Sequence, residues 1–368
     1  MIFKIVIVSF SMQLLLVYSK KRYEVTEPDV ESPQSNGNGS VKWMLMPDGR
    51  DNVQPAVISG LQPNDEVISD VDSVKFYLFT RDNANKAEVR SMNKSCLPVF
   101  KYFKNKKKTK ILIHGFGDNV KESYMVPTLK DAFLSRGDFN IIAVDWSNLA
   151  SKPWYNKAVE NTHPVAKHVA AFIDHMSTST DTKAKNVHLV GFSLGAHVAG
   201  MTASNVKSGR IRHITGLDPA YILYSKTPPE RRLDSSQADL VEVVHTSGGY
   251  VGFEKPLGHR DFFPNGGVWP QPGCVIDYAA VCSHRRAYYY YGEAIAKTGS
   301  FLSISCESYE HFVNDGCKAD KNRTIDIGDS LYDTRNKGLF YLNTKPESPY
   351  GEKPTDTDSV EELQSLFE

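Results

Sequence analysis

Neither sign of charge is in excess in this chain of 368 residues: Lys+Arg and Asp+Glu each total 43, for a formal net charge of zero. A balanced chain has no global field to hold a polyanion, which excludes nucleic acid as a primary partner. Long apolar runs are scarce as well, and a mean hydropathy of -0.38 excludes a polytopic membrane protein. Cysteine is sparse, with five residues and no CxxC pair or accompanying pair of histidines, so no metal site is read from them. What remains, 40% hydrophobic and 23% charged residues, is the composition of a globular chain. Its length suits one large domain with appendages.

The one extended apolar stretch stands at the start. Lys4 precedes a largely apolar run over residues 5–17, and small Ser19 precedes Lys20-Lys21-Arg22. This reads as a signal peptide over residues 1–19 and places the protein outside the cell. The run falls short of the roughly 20 apolar residues that span a bilayer. Asn38, Asn93 and Asn322 head N-x-[ST] sequons and are candidate glycosylation sites. Cys274, Cys282, Cys306 and Cys317 cluster late in the chain and, in a secreted protein, suggest disulfides. Of the three possible pairings, sequential neighbours are favoured, with Cys96 left over.

Residues 20–55 are polar and rich in Pro, Gly, Asn and Ser, with Trp43-Met-Leu-Met46 as their apolar island. They read as a leader or propeptide that docks through that island. From residue 74 the pattern changes. Residues 75–80, 110–113, 141–144, 187–190, 211–214 and 240–244 read as strands, several of them continuous apolar runs suited to burial on both faces. Residues 165–176 and 196–203 read as helices between them. Alternation of strand and helix predicts a mostly parallel α/β sheet over residues 56–345. Residues 346–368 are acidic, poor in apolar side chains, and read as a disordered tail. Residues 101–110 hold six lysines and read either as a solvated loop or as a patch for anionic lipid or sulfated polysaccharide.

The chemistry is carried by Gly191-Phe192-Ser193-Leu194-Gly195. A G-x-S-x-G pattern recurs by chance, and its weight here comes from context. It follows an apolar strand and opens a helix, the strand–turn–helix setting of a nucleophile elbow. Serine is a poor nucleophile until a base takes its proton, and the base needs a carboxylate to orient it. In this arrangement the acid follows the serine, and Asp218 in Thr215-Gly-Leu-Asp-Pro-Ala220 is placed for it. Spacing does not choose the base among His245, His259, His284 and His311. Two backbone N–H donors for an oxyanion are expected from Leu194, after the nucleophile, and from Phe116 in the glycine-rich His114-Gly-Phe-Gly-Asp118 loop.

HGFGDN, VDW, HLVGFSLGAHVAG, GLDPA, VVHTSG, GHRDFFPNGG and PGC…CSHRRAYYYY, in this order, resemble the pancreatic-type lipase superfamily. The insect secreted neutral lipases and venom-type phospholipases look like its closest branch. The resemblance runs from about Trp43 to Tyr341. It implies an α/β-hydrolase fold, Ser193 as nucleophile, Asp218 as orienting acid and His284 as base. Phe116 and Leu194 match the family's oxyanion positions.

Three departures from the family pattern stand out. Phe192 replaces the usual His before the serine, and its side chain is expected to point away from the reacting bond. Arg232-Leu233-Asp234 matches the family's calcium stretch, but Gln237 replaces the last Asp, which puts structural calcium in doubt. No C-terminal lipid-binding domain is expected, and with it no colipase-type partner. A Cys274–Cys282 pair would close a short loop, and short-lid family members resemble phospholipase A(1) or galactolipid hydrolases. The expected function is a secreted, cofactor-free lipid esterase acting at a membrane or lipid-droplet surface on phospholipids or neutral glycerides. A triacylglycerol lipase with the same triad is the nearest alternative. A non-catalytic yolk or lipid-storage protein on the same scaffold is the alternative of another class.

Overall fold

A computed structural model describes residues 41–50, 52–61, 70–93, 98–317, 319, 323–328 and 336–352. The expected signal peptide, Asn38, Cys96, Asn322 and residues 353–368 lie outside the described residues. In chain order the strands and α-helices are β1 (Lys42–Pro47), β2 (Val53–Ser59), β3 (Lys75–Phe79), β4 (Glu88–Ser91), β5 (Thr109–Ile113), α1 (Met125–Arg136), β6 (Asn140–Asp145), α2 (Tyr155–Ser179), β7 (Val187–Phe192), α3 (Leu194–Asn205), β8 (His213–Leu217), β9 (Leu240–Val244), β10 (Arg260–Pro264), α4 (Val281–Ala296), β11 (Leu302–Ser305), α5 (Tyr309–Val313), β12 (Thr324–Asp326) and β13 (Gly338–Leu342).

One sheet runs in the order β12-β11-β13-β10-β9-β8-β7-β5-β6-β3-β4. Its centre, β6 through β13, is parallel, and antiparallel strands finish both edges. Strand side chains alternate between faces. Ile111, Ile113, Ile142, Val144 and Leu189 therefore join the core under α2 and α3. Leu112, Ile141, Ala143 and Val190 join the core under α1 and α4 on the other side. Burial on both faces explains why these strands read as continuous apolar runs.

Because β5, β7 and β8 are adjacent and parallel, their C-terminal ends bring residues 114–118, Ser193 and Asp218 to one edge. Crevices outside the carboxyl ends of the strands are where such sheets place their sites. The lysine-rich loop leads into the start of β5, at the opposite edge. Lys104 and Lys107 there pair with Asp138, and Lys110 is buried inside the sheet layer.

Several boundaries differ from the sequence reading. The strand expected at 211–214 lies at 213–217 and runs through Gly216. At Gly216 a Cβ would sit 2.5 Å from Leu233 Cδ2, so the glycine serves packing within the strand. The leader expected to end at residue 55 is cut by β2. Met44, Met46 and Ala56 of the β1–β2 hairpin are buried in the core, and the island docks as part of a strand. The tail expected from residue 346 is docked at its beginning: Tyr350 and Gly351 backbone N–H groups donate to the Glu293 carboxylate on α4.

Candidate active site

Ser193 sits between β7 and α3 with φ 56 and ψ -121, a backbone conformation that side chains other than glycine rarely adopt. The flanking glycines permit the turn. A Cβ at Gly191 would lie 2.1 Å from Gly195 O, and one at Gly195 would lie 2.1 Å from Ile113 O. The Ser193 N–H donates to Leu217 O on the neighbouring strand (3.0 Å), which fixes the turn to the sheet. Ser193 is only 9% exposed, and it lines a cleft together with Gly115, Phe116, Phe192 and His284.

Asp218 follows β8 and is fully buried. Its carboxylate is saturated with donors. Oδ1 accepts the N–H groups of Thr246 (2.8 Å) and Ser247 (3.0 Å). Oδ2 accepts the Ser247 hydroxyl and His284 Nδ1, the latter at 2.6 Å. Gly252 closes over the group, since a Cβ there would lie 2.4 Å from Asp218 Oδ1. His284 stands in the first turn of α4. That turn is anchored by Asp277, whose carboxylate accepts from Cys282 N (2.8 Å) and Ser283 N (3.0 Å). The Cys274–Cys282 disulfide closes the same loop, and Cys306–Cys317 forms the second expected pair.

Leu194 is the first residue of α3, where backbone N–H groups have no intrahelical partner. The loop after β5 presses on the serine: a Cβ at Gly115 would lie 2.9 Å from Ser193 Cβ. His114 braces that loop through its ring, with Nδ1 bonded to Gly115 O (2.9 Å) and Nε2 accepting from Trp146 N (3.2 Å). Trp146 Nε1 returns a bond to His114 O (2.9 Å). Phe116 is buried, edge-on to Tyr155.

The histidines left open by spacing separate clearly. His245 bonds Asp261 (2.8 Å), His259 accepts from Val241 N (3.1 Å), and His311 is exposed near Glu307. His284 is the one of the four that meets Asp218. Phe192 does not point away. Its ring packs on His284, with 4.4 Å between ring centres, and edge-on against Tyr288. An apolar ring there packs against the base and against the next turn of α4. Asn93 is half-buried at the end of the β3–β4 hairpin.

Sequence reasoning missed Ser247, Thr246, Asp277, His197 and residues 46–49. His197 Nε2 bonds Ala220 O (2.7 Å) while Nδ1 accepts from Leu233 N (3.0 Å), tying the loop after Asp218 to the neighbouring turn. Burial pushes this imidazole down to about 3. The VVHTSG stretch was the available signal for Ser247, but nothing in a hydroxyl's sequence neighbourhood says which carboxylate it faces. The residues around Gln237 do not fit a calcium ion. Gln237 Nε2 donates to Arg232 O (2.8 Å) and Oε1 accepts from Asp234 N (2.9 Å), so an amide donor faces a carbonyl where a carboxylate would supply a ligand.

A family model described as Lipase matches residues 54–350. Pancreatic lipase-related protein 2 of Cavia porcellus is 36% identical over 251 residues, covering 67% of this chain and 56% of that one. Pancreatic triacylglycerol lipase of Myocastor coypus is 34% identical over 267 residues, covering 67% and 57%. Inactive pancreatic lipase-related protein 1 of Homo sapiens is 36% identical over 265 residues, covering 66% and 56%. The chain thus spans little more than half the length of these relatives. A parallel sheet carrying a serine on a strained strand-to-helix turn, and a match over most of the chain, lead to one conclusion: this chain belongs to the Lipase family.

Proposed function

We propose that the protein is a secreted serine hydrolase of lipid carboxylic esters, with phospholipids and neutral glycerides as its substrate classes. One observation carries this reading: the His284–Asp218 bond opens onto the same cleft as Ser193. In the mechanism, His284 Nε2 takes the Ser193 proton as Oγ attacks the acyl carbonyl. The N–H groups of Leu194 and Phe116 stabilise the oxyanion, and His284 returns the proton to the leaving alcohol. Water then attacks the acyl-serine by the same route and releases the fatty acid. No cofactor takes part.

The lipid substrate class is supported by the loop between Cys274 and Cys282. Val275, Ile276 and Tyr278 there are 91%, 82% and 72% exposed, six to nine residues before the base. Apolar side chains held out in solvent on the loop that leads into the base suit a lipid surface. Family members with so short a loop resemble phospholipase A(1) or galactolipid hydrolases, and that resemblance favours phospholipid over triglyceride. Two disulfides suit an oxidising compartment.

Fatty-acid release from phosphatidylcholine and from triolein, measured beside Ser193→Ala, tests the reading. The variant is expected to fold and to lose more than about 10³-fold in rate. Preference for triolein would keep the triad and overturn the short-lid argument. Release from neither would favour a non-catalytic role, the condition named for the inactive human relative.

A further inference from the structure

The cleft beside Ser193 has an open volume of about 20 Å³, room for little more than one water and none for an acyl chain. Enclosing an acyl chain beside Ser193 would therefore call for part of this wall to move. The Cys274–Cys282 loop is tethered at both ends over an eight-residue separation and its apolar side chains already face solvent. The β1–β2 hairpin is different. Met46, Pro47, Asp48 and Gly49 at its turn line the cleft. β2 lies on α2, while β1 crosses to the 278–280 turn and the start of α4, so the hairpin bridges the mouth.

We propose that the β1–β2 hairpin is a gate across the acyl cleft, latched by Asp48 and Lys152, whose inner residues Met46 and Pro47 decide which acyl chains reach Ser193. This rests on the reading of Ser193 as the nucleophile. Three further observations support a gate. The hairpin is a separate two-stranded sheet, so it can swing without breaking a ladder of the main sheet. Its turn is held by ion pairs: Lys152 Nζ on Asp48 Oδ2 (2.8 Å), with the lysine half exposed and the carboxylate buried, and Arg50 with Glu122, both exposed and therefore weakly paired. Its seam with the loop after β5 is poorly satisfied: the Gln54 carboxamide is buried against Gly117 with neither Nε2 nor Oε1 hydrogen-bonded. Opening frees that group to find water. Met44 and Met46, buried when the gate is shut, find replacement apolar contacts when it opens on lipid, next to the exposed Leu45.

The test uses the full chain and two latch variants. Lys152→Met removes the charge and keeps the apolar stem, whereas Lys152→Arg keeps the pair. Gly49→Ala is a steric wedge, because a Cβ there would lie 2.0 Å from Asp118 Oδ1. Hydrolysis of a p-nitrophenyl acetate and a p-nitrophenyl palmitate is followed, together with hydrogen exchange across residues 42–59. In Lys152→Met, kcat/KM for the palmitate is expected to rise about two- to fivefold with the acetate unchanged, and exchange in the hairpin to quicken. Gly49→Ala is expected to raise the palmitate-to-acetate ratio, and Lys152→Arg to match the parent. An unchanged ratio in both Lys152→Met and Gly49→Ala, or an equal rise for both esters, would overturn the gate. If the parent cleaves neither ester, the nucleophile reading fails. The exchange measurement still decides the gate, since equal protection in the parent and Lys152→Met overturns it.

Discussion

At Asp218 four hydrogen bonds converge on one carboxylate, and only one of them comes from the proposed base. The other three hold the acid still, and they come from Thr246 and Ser247, some 28 residues further along the chain. Ser193 and Asp218 were legible in the sequence because glycine spacing and chain order constrain them. His284 was not, because a base is defined by what it faces across the fold. The resemblance pointed to it, and its geometry is a bond to a residue at a separation of 66. His197 offers a test at this scale. Its imidazole is held neutral, with its protonation pushed down to about 3 in the fold against about 6.5 in an unfolded chain. The unfolded state therefore binds the proton first. The stabilisation is complete above about pH 6.5 and is lost as pH falls from there toward 3, by about 2 kcal/mol at pH 5. Urea unfolding of His197→Gln at pH 7.5 and 5 is expected to show a drop smaller than the parent's by about that amount. Equal drops would mean that this ring is not the buried neutral group.

Among elements, the elbow between β7 and α3 has the least freedom. Ser193 can hold φ 56 only because nothing projects from residues 191 and 195. At Gly195 the obstacle is the Ile113 carbonyl, part of the sheet itself, so it cannot step aside. Gly195→Ala is expected to lower unfolding stability by about 2–3 kcal/mol, read as a fall in the thermal midpoint. An unshifted midpoint would show that the elbow has slack. The central strands were legible because burial on both faces leaves a continuous apolar signature. The helices α1 and α4 were not. α1 carries Pro127 in its first turn, and α4 contains Tyr288 through Tyr291, a run with no visible period. The β1–β2 hairpin was hidden by its surroundings, since its apolar positions sit among the Pro, Gly and Asn that mark linkers.

For the molecule as a whole, the parallel sheet gives the protein two poles. The C-terminal ends of β5, β7 and β8 carry the cleft, with the exposed Val275 and Ile276 in the loop that leads into His284, while the lysine-rich loop lies at the other end of β5. Contact with lipid through the cleft pole would rest on apolar area rather than on charge. Val275→Asp with Ile276→Asp is expected to weaken partitioning onto phosphatidylcholine vesicles by about tenfold or more, with acetate-ester hydrolysis in solution preserved. Unaltered partitioning would move the lipid contact to another face.

The cleft also has a history in time. Its wall draws on residues from Met46 to Arg285, and the sheet behind it is completed only when β13 joins β10 through pairs such as Phe262 with Phe340. Each of those pairings is remote in sequence and slow to form. A chain still emerging from the ribosome has its serine long before it has its histidine. A nascent chain that has reached residue 218 but not residue 284 therefore carries the proposed nucleophile and acid without the proposed base.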